Sequence, residues 1–95
     1  MTYVRLTIAR PRHGEEARFE AIMQRLTEVT AQQPGCEATY MMKPDDGSGD
    51  IARISFYGDN HQADAAAQSA TIMALRSELH LVSEAGHVER GFFTV

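Results

Sequence analysis

The sequence predicts an α+β fold in which an antiparallel sheet carries two helices on one face. Four segments alternate apolar and polar residues with a period of two, which is typical of strands. Two further segments repeat apolar residues every three or four positions, which is typical of amphipathic helices. The order of these segments is βαββαβ, so the pattern corresponds to the ferredoxin-like split βαβ unit.

The first strand is predicted over residues 3–10, where Val4, Leu6 and Ile8 alternate with more polar residues. A proline and a glycine then end the strand, and two glutamates favour the start of a helix because acidic side chains stabilise helix N-termini. This helix is predicted to end at the turn signal Gln33-Pro34-Gly35. Its apolar stripe consists of Phe19, Ile22, Met23, Leu26 and Val29.

A hairpin is predicted over residues 36–57, because two alternating segments flank a stretch rich in Asp and Gly. In the first of them, Cys36, Ala38, Tyr40 and Met42 share one face. In the second, Ala52, Ile54 and Phe56 alternate with Arg53, Ser55 and Tyr57. Arg53, Ser55 and Tyr57 therefore share one face of the second segment.

The second helix is predicted as one continuous element over residues 61–84, since this Ala-rich stretch contains no Gly or Pro. Its apolar stripe consists of Ala65, Ile72, Leu75, Leu79 and Val82. A last strand is predicted over residues 87–95. Adjacent apolar pairs, Met41-Met42 and Phe92-Phe93, place apolar side chains on both faces of the sheet, so we expect a second copy to cover the face without helices as a homodimer.

Composition excludes several classes of protein. The 95 residues allow one domain, residues 1–95, and 43% hydrophobic with 23% charged residues is typical of a soluble globular chain. Nine basic against thirteen acidic residues, with no basic cluster, disfavour a nucleic-acid partner. The sequence has neither a leader pattern nor an apolar run of membrane length, and its one cysteine fits a reducing compartment, so we expect a cytoplasmic protein. Eight arginines against one lysine suggest a GC-rich bacterial source.

The chain resembles the antibiotic biosynthesis monooxygenase-like domains of the dimeric α+β barrel superfamily. The resemblance rests on the βαββαβ order, the segment QQPGCEATY after the first helix, the hairpin ending in ISFYGD and the Ala-rich second helix. It implies a homodimer whose two sheets pack face to face, with a pocket in each subunit between its own sheet and helices. It also implies oxidation of aromatic substrates by O₂ without a cofactor, haem degradation, or a domain that has lost its chemistry.

Two positions depart from the family pattern. Tyr57 stands where many members carry a Trp, and Ala66 stands where many carry a His inside the second helix. Haem-degrading relatives use that histidine as the axial ligand, so haem binding is disfavoured. The sequence also has no glycine-rich phosphate loop, and Glu84 and His87 form only a single, interrupted metal-ligand spacing, so no cofactor and no metal is expected.

The candidate catalytic residues are Tyr57, Arg53 and His61. A phenol and a guanidinium on one rigid strand face can bind and polarise a phenolate or quinone oxygen, and an imidazole near a helix N-terminus is kept neutral as a base. The candidate substrate-binding residues are Tyr40, Met42, Phe56 and Ile72. Three of these candidates also have a purely structural interpretation. Arg53 could form a salt bridge at the dimer seam, Tyr40 could be a core aromatic, and His61 could be an ordinary surface residue.

Two functional hypotheses follow from these residues. The first is a cofactor-independent monooxygenase-like protein that binds or transforms a small aromatic or quinone-like metabolite. The second is a non-catalytic dimeric domain of the same fold that binds a ligand or serves a structural role. Tyr40, Arg53 and Tyr57 favour the first, whereas the missing Trp and His favour the second.

Overall fold

A computed structural model describes all 95 residues and gives three helices and four strands. In chain order the elements are β1 (Tyr3–Ala9), α1 (Glu16–Ala31), β2 (Cys36–Met42), β3 (Ile51–Tyr57), α2 (Asn60–Ala67), α3 (Ala70–Leu81) and β4 (Val88–Phe93). The sheet order is β2-β3-β1-β4, and every neighbouring pair is antiparallel. The predicted ferredoxin-like α+β fold is therefore confirmed.

The second helix is split in two, so the prediction of one continuous helix over residues 61–84 is wrong. The hydroxyl of Ser69 accepts a hydrogen bond from the Ile72 backbone N–H at 3.3 Å and starts α3 as its N-cap. The carboxylate of Asp59 caps α2 in the same way, accepting from the Gln62 N–H at 2.9 Å. A serine has this capping option without any glycine or proline nearby, and the break leaves Ala65 of the predicted stripe exposed.

The core lies between the three helices and one face of the sheet. All five residues of the predicted α1 stripe are buried, with Phe19, Met23 and Leu26 entirely removed from solvent. From α2 the small side chains of Ala63 and Ala66 are buried, so this helix approaches the sheet closely. No helix is both long and apolar enough to cross a membrane.

The two faces of the sheet differ in polarity, and the polar one faces the helices. Odd-numbered residues of β1 and β3 point towards the helices, among them Arg5, Thr7, Arg53 and Ser55. The opposite face, called the outer face below, is almost entirely apolar. It consists of Ala38, Tyr40, Met42, Ala52, Ile54, Phe56, Val4, Leu6, Ile8, Val88, Arg90 and Phe92. Tyr40 is 57% exposed there, since no element of the chain covers it.

Candidate functional site

Arg53 is the central polar residue of the helix-facing side of the sheet. It lies in the middle of β3, paired with Thr7 of β1 and Met41 of β2. Its guanidinium donates to the Thr30 hydroxyl of α1 at 3.2 Å and to the Ser55 hydroxyl at 3.5 Å. Its Nε is shielded from solvent and has no hydrogen-bond partner. The side chain thus carries a positive charge into the protein with unused donor capacity.

No carboxylate balances the charge of Arg53, whereas the other two arginines beside it are paired. Arg5 of β1 contacts Asp64 of α2 at 3.1 Å, and Arg76 of α3 contacts Glu89 of β4 at 2.8 Å. Burial lowers the pKa of Arg53, because desolvation penalises its charged form. The region has three guanidinium groups and two carboxylates, so it carries one positive charge that an anionic ligand would neutralise.

Tyr57 and Ser55 continue the polar row along β3 beside Arg53. Tyr57 is only 4% exposed, and burial raises the pKa of its phenol above the ordinary value. At neutral pH it is therefore a hydrogen-bond donor and not a base. The hydroxyl of Ser55 is also hydrogen-bonded to that of Thr39 at 2.9 Å, which fixes its position on the strand.

Two clefts lie between the sheet and the helices, one on each side of Arg53. The first, called the Arg53 cleft, is narrow and partly open to solvent, and it is lined by Arg5, Thr30, Ser55, Tyr57, Ala66 and Ile72. The second, called the histidine cleft, is also narrow and partly open, and it is lined by Leu26, Leu79, His80, Ser83 and His87. Both include Arg53, Arg76 and Glu89, so the clefts adjoin along the Arg76–Glu89 ion pair.

Of the seven side chains that the sequence singles out, the structure brings together three. Arg53, Tyr57 and Ile72 line the Arg53 cleft. His61 lies in the first turn of α2, is exposed and lines neither cleft. The imidazole of His61 is therefore not beside Arg53, because α2 directs alanines into the cleft and leaves His61 outside it.

The three remaining side chains lie on the outer face of the sheet, away from Arg53. These are Tyr40, Met42 and Phe56. Successive residues of a strand point to opposite faces, so Phe56 cannot share a cleft with Arg53 and Tyr57. A substrate-binding role for these three would need a separate site on the outer face and stays a prediction.

Several cleft residues were not identified from the sequence. Thr30 lies on α1, Arg76 on α3 and Glu89 on β4, and only the folded chain brings them to Arg53. Arg5 had a usable signal, because a charged residue alternating with Val4 and Leu6 must face the same side as Thr7. No group of three or more His, Cys, Asp or Glu side chains is arranged to hold a metal ion.

Cys36 lies at the start of β2 opposite Tyr57 and does not line either cleft. Burial raises the pKa of its thiol, so the thiolate that a nucleophile requires is disfavoured. Its Sγ contacts the Ala38 carbonyl at 3.6 Å. The residue has the surroundings of a structural cysteine.

Solved structures share this fold over nearly the whole chain. Rv0793 from Mycobacterium tuberculosis is 14% identical, with a TM-score of 0.91 over 100% of this chain and 96% of that one. SnoaB from Streptomyces nogalater, a cofactor-independent oxygenase, is 19% identical, with a TM-score of 0.83 over 100% of this chain and 95% of that one. A conserved protein from Methanosarcina mazei Go1 is 11% identical, with a TM-score of 0.89 over 97% and 91% of the two chains. No curated protein matches the sequence.

At identities this low the structural neighbours establish the fold alone, and the family follows from the sequence. The family model for antibiotic biosynthesis monooxygenase matches residues 1–78, which runs from β1 into α3. The matched segment includes Arg5, Thr30, Arg53, Tyr57 and Arg76, but not β4 with Glu89. The chain therefore belongs to the antibiotic biosynthesis monooxygenase family.

Proposed function

We propose that the protein is a cofactor-independent monooxygenase for a small aromatic or quinone-like metabolite that carries an acidic oxygen. The observation that carries the proposal is Arg53, a desolvated guanidinium without a carboxylate partner that lies between two clefts. Membership of the family and the oxygenase SnoaB among the structural neighbours support the same reaction class.

In this proposal Arg53 binds the oxygen of a phenolate or enolate and stabilises its negative charge. Tyr57 donates a second hydrogen bond, and Ser55 and Thr30 hold the guanidinium in place. Fixed donors in a site removed from water stabilise an oxyanion more strongly than water does. The resulting substrate anion is electron-rich at carbon, which is what direct reaction with O₂ requires.

The overall reaction balances without a cofactor. For a substrate whose ring CH₂ group is activated by the anion, one atom of O₂ becomes the new ketone oxygen. The other atom leaves as water with the two hydrogens of that carbon. O₂ is the oxidant, and the substrate carbon is oxidised. The chain's own residues bind the anion, orient it and keep bulk water from the carbon.

Binding and turnover of hydroxylated arenes test the proposal. Arg53→Ala and Tyr57→Phe should each weaken binding of a naphthol or anthrone by about tenfold or more, since a hydrogen bond to a charged oxygen contributes about 1.5–3 kcal/mol. His61→Ala, outside the cleft, should change affinity less than either. Arg18→Ala, an exposed arginine on α1, serves as the matched control. Equal affinities in wild type and Arg53→Ala would contradict the proposal.

The alternative function is that of a non-catalytic ligand-binding or structural domain. It is favoured by the lining of the two clefts, whose one carboxylate, Glu89, is held in an ion pair with Arg76. Ala66 at the position of the family's helical histidine favours it as well. An oxygen electrode separates the two functions: a bound anthrone that consumes no O₂ above the rate in buffer identifies a binding protein.

We further propose that the protein is a homodimer formed through the outer face. This face is apolar over all four strands except at Arg90, and Tyr40, Met42, Val88 and Phe92 are each between 37% and 57% exposed on it. Burying it against a second copy should remove more than about 1,000 Å² from solvent, which is the range of stable interfaces. Ile54→Asp, at the centre of the face, should give a monomer in sedimentation. A monomeric wild type would refute this assembly.

We also propose that the chain forms a single domain and that the protein is cytoplasmic. Residues 1–95 act as one domain, because α1 and α3 pack on the same sheet and share one core. Cys36 is a free thiol, which suits the reducing cytoplasm. Fractionation of the native host would test the location.

A further inference from the structure

Two histidines that were not among the predicted site residues lie on the side of Arg53 opposite the Arg53 cleft. His80 is in the last turn of α3, and His87 immediately precedes β4. Their rings are 4.9 Å apart in an edge-to-face arrangement, and both line the histidine cleft with Arg53. The other two histidines, His13 and His61, line neither cleft.

The proposed chemistry releases a proton that the Arg53 cleft itself cannot accept. Tyr57 keeps its own proton because burial raises the pKa of the phenol. Asp64 and Glu89 are each bound by an arginine at 3.1 Å and 2.8 Å. Apart from these groups and the two histidines, the lining of both clefts offers hydroxyls, guanidinium groups and alkyl groups, none of which is a base at neutral pH. Histidine is the side chain that takes up a proton in this range.

We infer that His80 and His87 form the proton acceptor for the ligand that binds Arg53. This inference rests on the proposed function. In the step, the O–H bond of a hydroxyarene breaks, its electron pair stays on the oxygen beside Arg53, and the proton forms an N–H bond on one imidazole. Transfer is direct or passes through one water, as is usual for general bases. No oxidant takes part in this step.

The charges around the pair are compatible with an imidazolium. The charged residues that line the histidine cleft with the two rings are Arg53 on β3, Arg76 on α3 and Glu89 on β4. Arg76 and Glu89 neutralise each other, and the ligand anion neutralises Arg53. His87 also borders a depression containing Arg10, Asp50 and Glu84.

In that depression one negative charge is left over. Arg10 contacts Asp50 at 3.1 Å, so Glu84 is the charged group without an ion-pair partner there. Its carboxylate supplies a negative charge to the depression that His87 borders. Protonation of the pair therefore leaves the clefts without an uncompensated excess of positive charge.

Calorimetric titration in two buffers measures where the proton goes. β-Naphthol, which is neutral in solution at neutral pH, is titrated into the protein in phosphate and in Tris at the same pH. The difference in binding enthalpy between the buffers gives the number of protons released to solvent. The absorption spectrum of the complex reports whether the bound naphthol has ionised.

We expect the naphtholate band in wild type with almost no proton released. Binding to the double variant His80→Asn/His87→Asn should release about one proton to solvent for each naphthol bound. His13→Asn, an exposed histidine in the turn before α1, serves as the matched control and should behave as wild type. If the double variant does not fold, the single variants decide, and at least one should release more than wild type.

The outcomes separate this inference from the proposed function. A naphtholate band with the same proton release in wild type and histidine variants would overturn the inference and leave Arg53 as the anion site. No naphtholate band in wild type, or unchanged binding in Arg53→Ala, would overturn the proposed function and the inference with it.

Discussion

Replacing Arg53 by methionine should make the protein more stable and abolish its ligand binding. A binding residue often stores an unfavourable interaction in the free protein, and a desolvated cation without a counter-ion is such an interaction. Methionine keeps an unbranched aliphatic stem at this position but removes the charge. Stability and function are therefore expected to change in opposite directions.

The magnitude follows from the contacts of the guanidinium. Its two hydrogen bonds, at 3.2 Å and 3.5 Å, are long, so their loss costs about 0.5 kcal/mol each, the lower end of the usual range. Relief of the desolvation penalty amounts to about 2 kcal/mol, because Arg53 keeps part of its surface in solvent and the full penalty of several kcal/mol is not reached. The net gain of about 1 kcal/mol corresponds to a rise in Tm of about 4–8 °C for a chain of this length.

Thermal unfolding followed by circular dichroism at fixed protein concentration measures this gain. Arg76→Met is the matched control, since Arg76 is partly exposed and paired with Glu89. Its Tm should stay level or fall, because the substitution leaves Glu89 without its partner. A Tm for Arg53→Met well below wild type would refute the reasoning and make Arg53 a structural residue.

Three further predictions concern the framework around the clefts. Gly91→Ala should lower stability by about 1–3 kcal/mol, because a Cβ there overlaps the Tyr3 hydroxyl that accepts a hydrogen bond from Arg5; Tyr3→Phe in the same chain should restore part of the loss in urea unfolding. Ser69→Ala removes the N-cap of α3 and should cost about 0.5–2 kcal/mol, measured in the same way, whereas the exposed Ser77→Ala should be nearly neutral. Burial raises the pKa of Tyr57, so the folded state holds this proton where the unfolded chain has lost it, and stability should fall as the pH rises above about 10. That fall should be smaller in Tyr57→Phe when both proteins carry Cys36→Ser, which removes the similar contribution of the thiol; an unchanged pH dependence would contradict the assignment.

The fold could be predicted from sequence because its signals are local. The α1 stripe from Phe19 to Val29 and the alternation in β1 and β3 are both visible within a few residues. The break at Ser69 was missed because a serine is compatible with a helix interior as well as with a cap. A helix that ends at a side-chain cap needs no glycine or proline, so the break does not show in the composition of the sequence.

The candidate site could be predicted only along one strand. Alternation places Arg53, Ser55 and Tyr57 on one face, but it does not say which face meets the helices. Tyr40, Met42 and Phe56 were predicted to bind substrate together with Arg53 and Tyr57, but they lie on the outer face, opposite the clefts. The contribution of Arg76, His80 and Glu89 depends on contacts between distant parts of the chain, which a single sequence does not encode in any local pattern.

The opposite polarity of the two sheet faces has a consequence for how the protein can change. Along β3, the residues that reach the clefts alternate one by one with the residues of the outer face. A substitution at Ser55 or Arg53 can therefore alter the choice of ligand without touching Ile54, and the reverse also holds. A laboratory library confined to odd positions of β3 would vary the cleft lining and leave the outer face unaltered, whereas substitutions at even positions would change the outer face and leave the cleft lining unaltered.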